Sequence, residues 1–561
     1  MGLIDVIVGT ALLLIVFLAL TSLLRTSLVV ASLAKTKSIA TAVAESQMEY
    51  VRSLTYDNVG TVGGIPSGDI PQYATTTSNG IEFVTRTYIE YVDDPKDGLE
   101  GADQNSITTD YKRIKVSVAY TAAGRALSVD LVSNYAPPGV ETTTGGGTLR
   151  IDVVNALGSA VPGASVRVVN PSLSPAVDVT TFSNADGVVY LPGALPSTDY
   201  RITVTKNGYS SAQTYERNST NQNPSPGYLT VAEGQTTTGT FAIDVLANLA
   251  LTTYSPIAST TWSDTLDTSA NIASQSNVYV GGGSVTLASN EFGFVSGGSV
   301  RSIVIAPEYL AGWTSARIDT SLPSGTNVRL KVADGSGTPL PDAVVPGNSA
   351  GFVDEVDLSG VSIETYPSLT LVAELATDSP LASPSLLAWE LEYLEGPIPL
   401  PDVDFTLTGG KTIGSTGAGA PLYKTEVAAS TDADGEWEQS LEWDVYQLEV
   451  PGYDVVDACN APPYALAPGS SVAGTLVLGD ETAHRVLVSV RAGGAAVEGA
   501  SVTLSRTGYS KTATTSSCGA AYFGGLASAS DYTITADAPG YTQAVSTGVT
   551  VSGQTFHALT F

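Results

Sequence analysis

The chain of 561 residues contains very little cysteine, histidine or methionine, with two residues of each type. Two cysteines exclude a disulfide-rich scaffold, and two histidines without a paired-cysteine motif argue against a zinc enzyme. Basic residues are also scarce, because 25 Lys and Arg face 55 Asp and Glu for a net charge of −30. The sequence therefore lacks the basic surface of a nucleic-acid-binding protein, and it suits a soluble exterior or cation binding.

Proline and glycine are absent between Gly9 and Gly60. The first part of this stretch is apolar on all sides up to Leu24, and the part after Arg25 alternates apolar with polar residues. Twenty-four helical residues span roughly 36 Å, which is enough to cross a bilayer. We therefore expect one long helix over residues 1–54, apolar in its first half and amphipathic in its second.

One charged residue, Asp5, interrupts the apolar segment, and a carboxylate in a membrane is costly unless it is paired. An acidic fifth residue in such a helix resembles the type IV pilins and pseudopilins. The resemblance implies that prepilin peptidase removes a basic leader, that Met1 is the mature first residue and is N-methylated, and that Asp5 pairs with the terminal amine of a neighbouring subunit. Three features depart from the family pattern: Met1 replaces the usual Phe, Asp5 the usual Glu, and Ser22 a frequent proline.

An uncleaved signal anchor explains the same apolar segment without any filament. A cleavable secretory signal fits less well, because no Lys or Arg precedes Arg25 and the apolar run is long. The pilin interpretation places the chain in the cytoplasmic membrane before assembly and then in an extracellular filament at the cell surface. The anchor interpretation leaves it in the membrane.

Three alternating segments follow the helix, at Ile81–Val92, Tyr111–Tyr120 and Ala126–Tyr135. Their period of two predicts a small antiparallel β head, residues 55–137, packed on the helix as in pilins. The loop after the first segment is acidic, and oxygen-rich loops of this kind can bind Ca²⁺. The candidate ligands are Asp93, Asp94, Asp97 and Asp103. Their spacing does not match an EF-hand, so a solvated acidic loop is the alternative.

Residues 138–147 have the composition of a linker. Related sequences then recur: AVPGASVRV from Ala160 and AVEGASVTL from Ala496, DYRITVTKNGY from Asp199 and DYTITADAPGY from Asp531. A degenerate copy, DVYQLEVPGY, ends at Tyr453. These units resemble carboxypeptidase regulatory-like domains, which are non-catalytic prealbumin-like β-sandwiches. The resemblance assigns one such domain each to residues 148–247, 401–480 and 481–561.

Residues 248–400 have a different pattern of short alternating segments, such as SVTLA and VRLKVAD, separated by Gly, Pro and Asn. This spacing predicts a jelly-roll β-sandwich. Its aromatic residues Trp262, Tyr309 and Trp313 are candidates for a surface that stacks on glycans. The alternative is that these rings fill the core of the sandwich.

The second and third repeats contain one cysteine each. Cys518 precedes Gly519 where the other copies have Asp186–Gly187 and Asp434–Gly435, and Cys459 follows the Gly-Tyr strand of the preceding copy. Both positions are expected at module ends, and an exterior compartment is oxidising. We expect a disulfide between Cys459 and Cys518, with two free thiols as the alternative.

No active site is evident. The pattern G-x-S-x-G at Gly347–Gly351 lacks the strand-to-helix context of a nucleophile elbow. The sequence therefore predicts a non-enzymatic subunit of a type IV pilus-like filament, with outer β-sandwich modules for adhesion or display and no cofactor other than candidate calcium. The expected partners are identical subunits, the pilus assembly machinery with prepilin peptidase, the membrane, and surface glycans or host-cell receptors, but not nucleic acid. The alternative function is a single-pass membrane-anchored adhesin that does not polymerise; a secreted polysaccharide-active enzyme has little support.

Overall fold

The computed structural model describes residues 3–94, 96, 109–138 and 146–561, without the side chains of residues 3–9 and 11. A single helix, α1, runs from Leu3 to Arg52 and is followed by a 3₁₀ turn, Tyr56–Asn58. The first half of α1 is long and apolar enough to cross a membrane, with a mean hydropathy of 2.3 in its most apolar stretch. The long unbroken helix expected from the missing proline and glycine is therefore present.

The second half of α1 packs against a four-stranded antiparallel sheet, which we call the head sheet. Its strands, in the order in which they pair, are β1 Tyr73–Ser78, β2 Ile81–Val92, β3 Tyr111–Ala122 and β4 Arg125–Tyr135. Ala40, Ala44 and Met48 of the helix share one core with Ile114 and Val116 of the sheet. The expected meander is present with one more strand, β1, whose sequence YATTTS has no apolar alternation because it forms an exposed edge.

The first repeat module is a sandwich of two sheets. Its strands are β5 Gly147–Val154, β6 Ser165–Asn170, β7 Val177–Phe182, β8 Val188–Ala194, β9 Ser197–Thr205, β10 Ala212–Gln213, β11 Asn223–Pro224, β12 Leu229–Val231 and β13 Thr236–Ala242. One sheet has the order β13-β5-β8, and the other has the order β10-β9-β6-β7 with β12 also paired to β9. The first and last strands, β5 and β13, pair in parallel.

Strand β14, Ala247–Tyr254, leads into a separate sandwich of residues 258–395, which we call the inserted module. Its strands are β15 Ala258–Asp264, β16 Ile272–Ser276, β17 Val278–Val280, β18 Val285–Leu287, β19 Ser289–Asn290, β20 Gly293–Phe294, β21 Gly297–Ser302, β22 Leu310–Ser321, β23 Thr326–Asp334, β24 Glu355–Asp357, β25 Leu369–Thr377 and β26 Ser385–Glu395. A six-stranded sheet built around β26 and β22 faces a four-stranded sheet of order β16-β21-β25-β23. The two-sheet sandwich is present; its assignment as a jelly roll stays a prediction.

The second repeat module is built from two separate segments of the chain. Its later strands are β27 Asp404–Gly409, β28 Thr412–Ser415, β29 Pro421–Tyr423, β30 Glu426–Ser430, β31 Glu436–Leu441, β32 Asp444–Glu449, β33 Tyr453–Cys459, β34 Tyr464–Leu466 and β35 Ser471–Asp480. Its two sheets have the orders β31-β14-β35-β33 and β30-β27-β32-β34, so β14 is its first strand. The expected boundaries 248–400 and 401–480 are therefore wrong: residues 247–254 belong with the second repeat, and the other sandwich is inserted after them.

The third repeat module repeats the arrangement of the first two. Its strands are β36 Arg485–Ala492, β37 Ala495–Ala496, β38 Ser501–Arg506, β39 Tyr509–Thr514, β40 Ala520–Phe523, β41 Ala529–Asp537, β42 Ala544–Val551 and β43 Gln554–Thr560. The first and last strands pair in parallel in all three modules, as β5 with β13, β14 with β35, and β36 with β43. The shared topology accounts for the recurring sequence motifs.

Candidate assembly helix and intermodule junctions

The candidate assembly surface is the exposed part of α1. Side chains from Leu12 to Ser32 are all exposed, including Leu13 at 71% of its surface. From Leu33 onward, one face is covered by the head sheet, and Ala40 and Ala44 are fully buried. An apolar surface of this length is not stable in water, so a membrane or other apolar chains must cover it.

The two predicted assembly residues fall where the structure does not describe side chains. Met1 lies outside the described residues, and Asp5 is described only as part of the backbone of α1. The pairing of Asp5 and the N-methylation of Met1 therefore stay predictions.

The helix also carries a segregated set of charges. Three cations, Arg25, Lys35 and Lys37, precede two acids, Glu45 and Glu49, and all five side chains are exposed. The Glu49 carboxylate forms an ion pair with the Arg52 guanidinium at 2.9 Å, and the two side chains are 69% and 48% exposed.

The head sheet contacts the first repeat module directly. The backbone N–H of Asp178 donates to the carbonyl of Gly63 at 2.8 Å, and the side-chain amide of Gln72 donates to the carbonyl of Asp178 at 2.8 Å. Arg86 donates to the carbonyl of Thr180. Ile65, from the loop after α1, is 2% exposed because it is part of the core of the first module. The expected linker is thus accompanied by a packed interface between the two units that it joins.

A cleft of about 430 Å³ opens at this interface, next to Tyr88, Glu90, Arg113, Phe182 and Asp186. Burial raises the pKa of the Glu90 carboxyl, although hydrogen bonding to Tyr88 and the charge of Arg113 oppose the shift. Burial also raises the pKa of Tyr88 well above its ordinary value. Arg113 lies 3.5 Å from Glu90, so the carboxyl is held by a partner rather than left in open solvent.

The first and second repeat modules are joined by a shared small sheet. Strand β11 pairs with β28, and Asn221 donates to the carbonyl of Ile413 at 2.9 Å. Lys424 donates to the carbonyl of Ser211 and also pairs at 2.6 Å with Glu442. Lys411 contacts the same carboxylate at 2.7 Å. No sequence motif predicted that these residues meet, since they are far apart in the chain and come together only after both modules fold.

The second and third repeat modules meet around a buried ion pair. The Asp454 carboxylate is fully buried and accepts from Arg485 at 2.7 Å, and the Arg485 side chain is only 8% exposed. Asp454 also accepts from the hydroxyl of Tyr522 and from the backbone and hydroxyl of Thr482. Sequence reasoning missed this group, because a single acid and a single arginine in different repeats give no local signal.

Cys459 and Cys518 lie at the same junction and form a disulfide, with Cα atoms 4.7 Å apart. The carboxylate of Asp457 accepts from the hydroxyl of Ser516 next to it at 2.8 Å. Leu487 of the third module is buried in the core of the second. The two modules therefore share apolar packing, an ion pair and a covalent bond.

In the described part of the chain, the inserted module is attached to the second repeat through its first and last residues. The backbone of Ser255 donates to Ile398 at 2.8 Å, and Tyr254 forms an isolated bridge with Pro399. The first and third modules carry a short hairpin at the same place, where Val154 bridges Ala160 and β36 pairs with β37. The module is thus inserted into the first hairpin of the second repeat.

The predicted glycan-stacking aromatics do not form an open platform. Trp313 is 3% exposed and donates its indole N–H to the carbonyl of Tyr366 at 2.9 Å, so it is a core residue and cannot stack on a sugar. Trp262 is partly buried against the same core and lies 6.4 Å from the ring of Trp389. Tyr309 is partly exposed beside the attachment end, where its carbonyl accepts from Gly396. Core packing, the alternative, is correct for Trp313.

The predicted calcium ligands are only partly described. Asp97 and Asp103 lie outside the described residues. The backbone of Asp94 donates to the carboxylate of Asp110 at 2.6 Å, and Asp93 is half-buried beside it. Within the described part of the chain, no group of three side chains could hold a metal ion. Calcium binding by this loop stays a prediction.

Comparison with known proteins relates one module to a family. Residues 485–561, the third repeat module, match the carboxypeptidase regulatory-like domain. This is the family that the repeated motifs resemble, and the match covers this module alone. No curated protein sequence matches the chain.

Similar solved structures include three proteins of low sequence identity. The TIE protein of Bacillus anthracis is 12% identical, with 89% of this chain and 73% of that chain covered and a TM-score of 0.15. The major pilin subunit BcpA of Bacillus cereus is 11% identical, with 74% and 99% covered and a TM-score of 0.14. The major pilin SpaD of Corynebacterium diphtheriae is 10% identical, with 75% and 98% covered and a TM-score of 0.12. TM-scores of this size do not establish a common overall fold.

Proposed function

We propose that this protein is a structural subunit of a type IV pilus-like surface filament that assembles through α1. The observation that carries the proposal is the division of the helix into two parts. The first part is apolar and exposed, and the second is fixed to a folded head sheet. A membrane can hold the first part before assembly, and helices of identical subunits can cover it afterwards.

Asp5 gives this assembly its specificity in the proposal. In an apolar environment its carboxylate is costly unless a cation pairs with it, and the terminal amine of a neighbouring helix is such a cation. The pair fixes the relative axial position of two helices. Leader removal by prepilin peptidase and N-methylation at Met1 belong to the same proposal.

The four β-sandwich modules lie on the outer side of the filament in this proposal, where they serve adhesion or display. The strongly negative net charge favours a solvated outer surface. Surface glycans or host-cell receptors are the proposed ligands, and calcium is a proposed ligand of the acidic loop that contains Asp93 and Asp94. None of these roles needs an active site, and we propose no catalytic activity.

A single-pass membrane-anchored adhesin is the second candidate, and it is favoured by the same exposed apolar segment, which is long and apolar enough to cross a bilayer. The two candidates differ in whether surface filaments form. Electron microscopy of filaments sheared from cells that produce the full chain, with antibody labelling of the third module, separates them. Labelled filaments support the pilus-like subunit, and a label confined to the cell envelope supports the anchored adhesin.

The role of Asp5 is tested by Asp5→Ala in the full chain. We expect the variant to reach the membrane in normal amount but to give much less filament, whereas Asp5→Glu keeps the carboxylate and still assembles. Asp57→Ala is the matched control, because it removes an exposed carboxylate outside the apolar segment. Normal filament yield from Asp5→Ala would rule out the pairing.

A further inference from the structure

The exposed charges of α1 are separated along its length. From Arg25 to Lys37 the helix carries three cations and no acid, Glu45 and Glu49 follow, and Arg52 ends the helix. Neither Lys35 nor Glu45 has an ion pair or a side-chain hydrogen bond to any part of the chain that the structure describes. Unpaired opposite charges on one exposed helix are complementary to a second copy of the same helix.

Pairing within the helix does not explain this arrangement. Glu45 and Glu49 are four residues apart, and like charges at that spacing destabilise a helix by a few tenths of a kcal/mol. Arg52 offsets the charge of Glu49 through an exposed ion pair, but nothing in the described chain offsets Glu45. An external cation would relieve this repulsion.

The geometry of α1 fixes where that cation must come from. Lys35 lies 10 residues before Glu45 and 14 before Glu49, which is roughly 15 to 21 Å along the helix axis. Around the axis, Lys35 is about 40° from Glu49 and about 80° from Glu45. Two neighbouring parallel helices bring Lys35 of one copy to the acids of the next when one helix is shifted by this distance and turned about its own axis so that the two charged faces oppose.

The orientation of the two copies follows from the apolar half of α1. Because both apolar segments must enter one membrane or one filament core from the same side, the helices run parallel. In a parallel pair, different patches meet, so the contact is heterologous and leaves one lysine and one acidic pair free. A contact of this kind repeats from copy to copy and builds a filament rather than a closed dimer.

We infer that Lys35 of one copy pairs with Glu45 and Glu49 of an adjacent copy and sets an axial offset of roughly 15 to 21 Å between their helices. This inference rests on the proposed filament function and deepens it by naming the contacting residues. The apolar segments still overlap at this offset, because residues 3–24 alone span roughly 33 Å of helix. The partner is therefore a second copy of this chain, recognised by charge and by parallel packing.

Charge reversal in the full chain tests the inference. Lys35→Glu places three acids together, and we expect filament yield to fall roughly tenfold or more. The double variant Glu45→Lys/Glu49→Lys should fall similarly, and co-production of the two variants should restore mixed filaments that neither forms alone. Lys37→Glu is the matched control for the contact with Glu49, because it makes the same charge change at nearly the same height but lies about 120° around the helix from Glu49, whereas Lys35 lies about 40° from it. Both lysines lie about 80° from Glu45. All four positions are exposed, and membrane-fraction amounts and formation of the Cys459–Cys518 disulfide verify folding.

Each outcome decides between the inference and the proposed function. Assembly defects in both reversed variants with rescue in the mixture support the inference. Wild-type yield from Lys35→Glu, or equal loss in Lys37→Glu, would overturn it while leaving the filament function intact. Absence of filaments from the wild-type chain would overturn both.

Discussion

Replacing Asp454 with alanine should loosen the junction between the second and third repeat modules. In the native structure, the Asp454 side chain is fully buried and is the main counter-charge of Arg485. Asp454→Ala leaves the Arg485 guanidinium buried without its carboxylate, and removing one partner of a buried pair typically costs about 3–5 kcal/mol. We therefore expect a large local effect from a single side chain.

The lower end of that range applies here. Arg485 keeps three other acceptors, the carbonyls of Tyr453 and Thr482 and the side-chain oxygen of Gln554, and it lies 3.5 Å from the exposed Glu481. We expect the opening free energy of the junction to fall by about 3 kcal/mol. That fall corresponds to a roughly 100-fold increase in the population of the open junction.

Amide hydrogen exchange of the full chain in detergent measures this opening, followed in peptides from β33 and β36. Asp178→Ala is the matched control, because Arg167 contacts Asp178 at 2.7 Å in a similar ion pair whose side chains are 57% and 54% exposed. Exposed pairs contribute about 1 kcal/mol or less, so this variant should change exchange less than tenfold. Replacing both buried charges, as Asp454→Leu/Arg485→Met, should restore slow exchange. An Asp454→Ala protein whose junction exchanges within about threefold of wild type would refute the reasoning.

Three further predictions concern other parts of the chain. A chain ending at Pro138 lacks the first repeat module and therefore exposes Ile65. The free energy of unfolding of its head should be about 2 kcal/mol lower than in a chain ending at residue 245. Equal melting temperatures of the two chains would contradict this. Cys518→Ser removes the disulfide, which closes a loop of 59 residues, and should lower the free energy of unfolding of the second and third modules by about 4 kcal/mol in denaturant. Two alkylatable thiols in the native wild-type protein would contradict the disulfide. Burial lowers the pKa of His557 below its ordinary 6.5. As the pH falls below 6.5, the imidazole is protonated in the unfolded chain before it is protonated in the folded one, so the third module should lose stability. His557→Gln should remove that part of the pH dependence of the melting temperature.

The sequence predicted those parts of the fold that repeat or alternate locally. The long helix, three strands of the head sheet and the recurring sandwich motifs all leave such local signals. Strand β14 was misassigned because its partners, β31 and β35, follow it only after the inserted module. Its alternation fits any half-buried strand, and nothing within eight residues says which sandwich it joins.

Residues of the candidate site could be predicted only where their residue type is rare in this chain. Two cysteines in a chain this long attract attention, and the structure brings them together. Trp313 was a weaker candidate, since an aromatic residue on a strand looks the same in the sequence whether its ring faces the core or solvent. The Asp454–Arg485 pair could not be found, because ordinary charged residues become distinctive only through burial.

The parallel pairing of first and last strands determines how a repeat module responds to tension. The chain enters the first module at the start of β5 and leaves it at the end of β13, and it enters and leaves the second at the start of β14 and the end of β35. Because these strands are parallel neighbours, a pulling force acts on their opposite ends and loads all of their interstrand hydrogen bonds at once. Each pairing spans seven residues, so the modules should resist stretching similarly. A cell held to a surface by such a subunit would pull on a series of shear-loaded strand pairs, which must slip as a unit before any module extends.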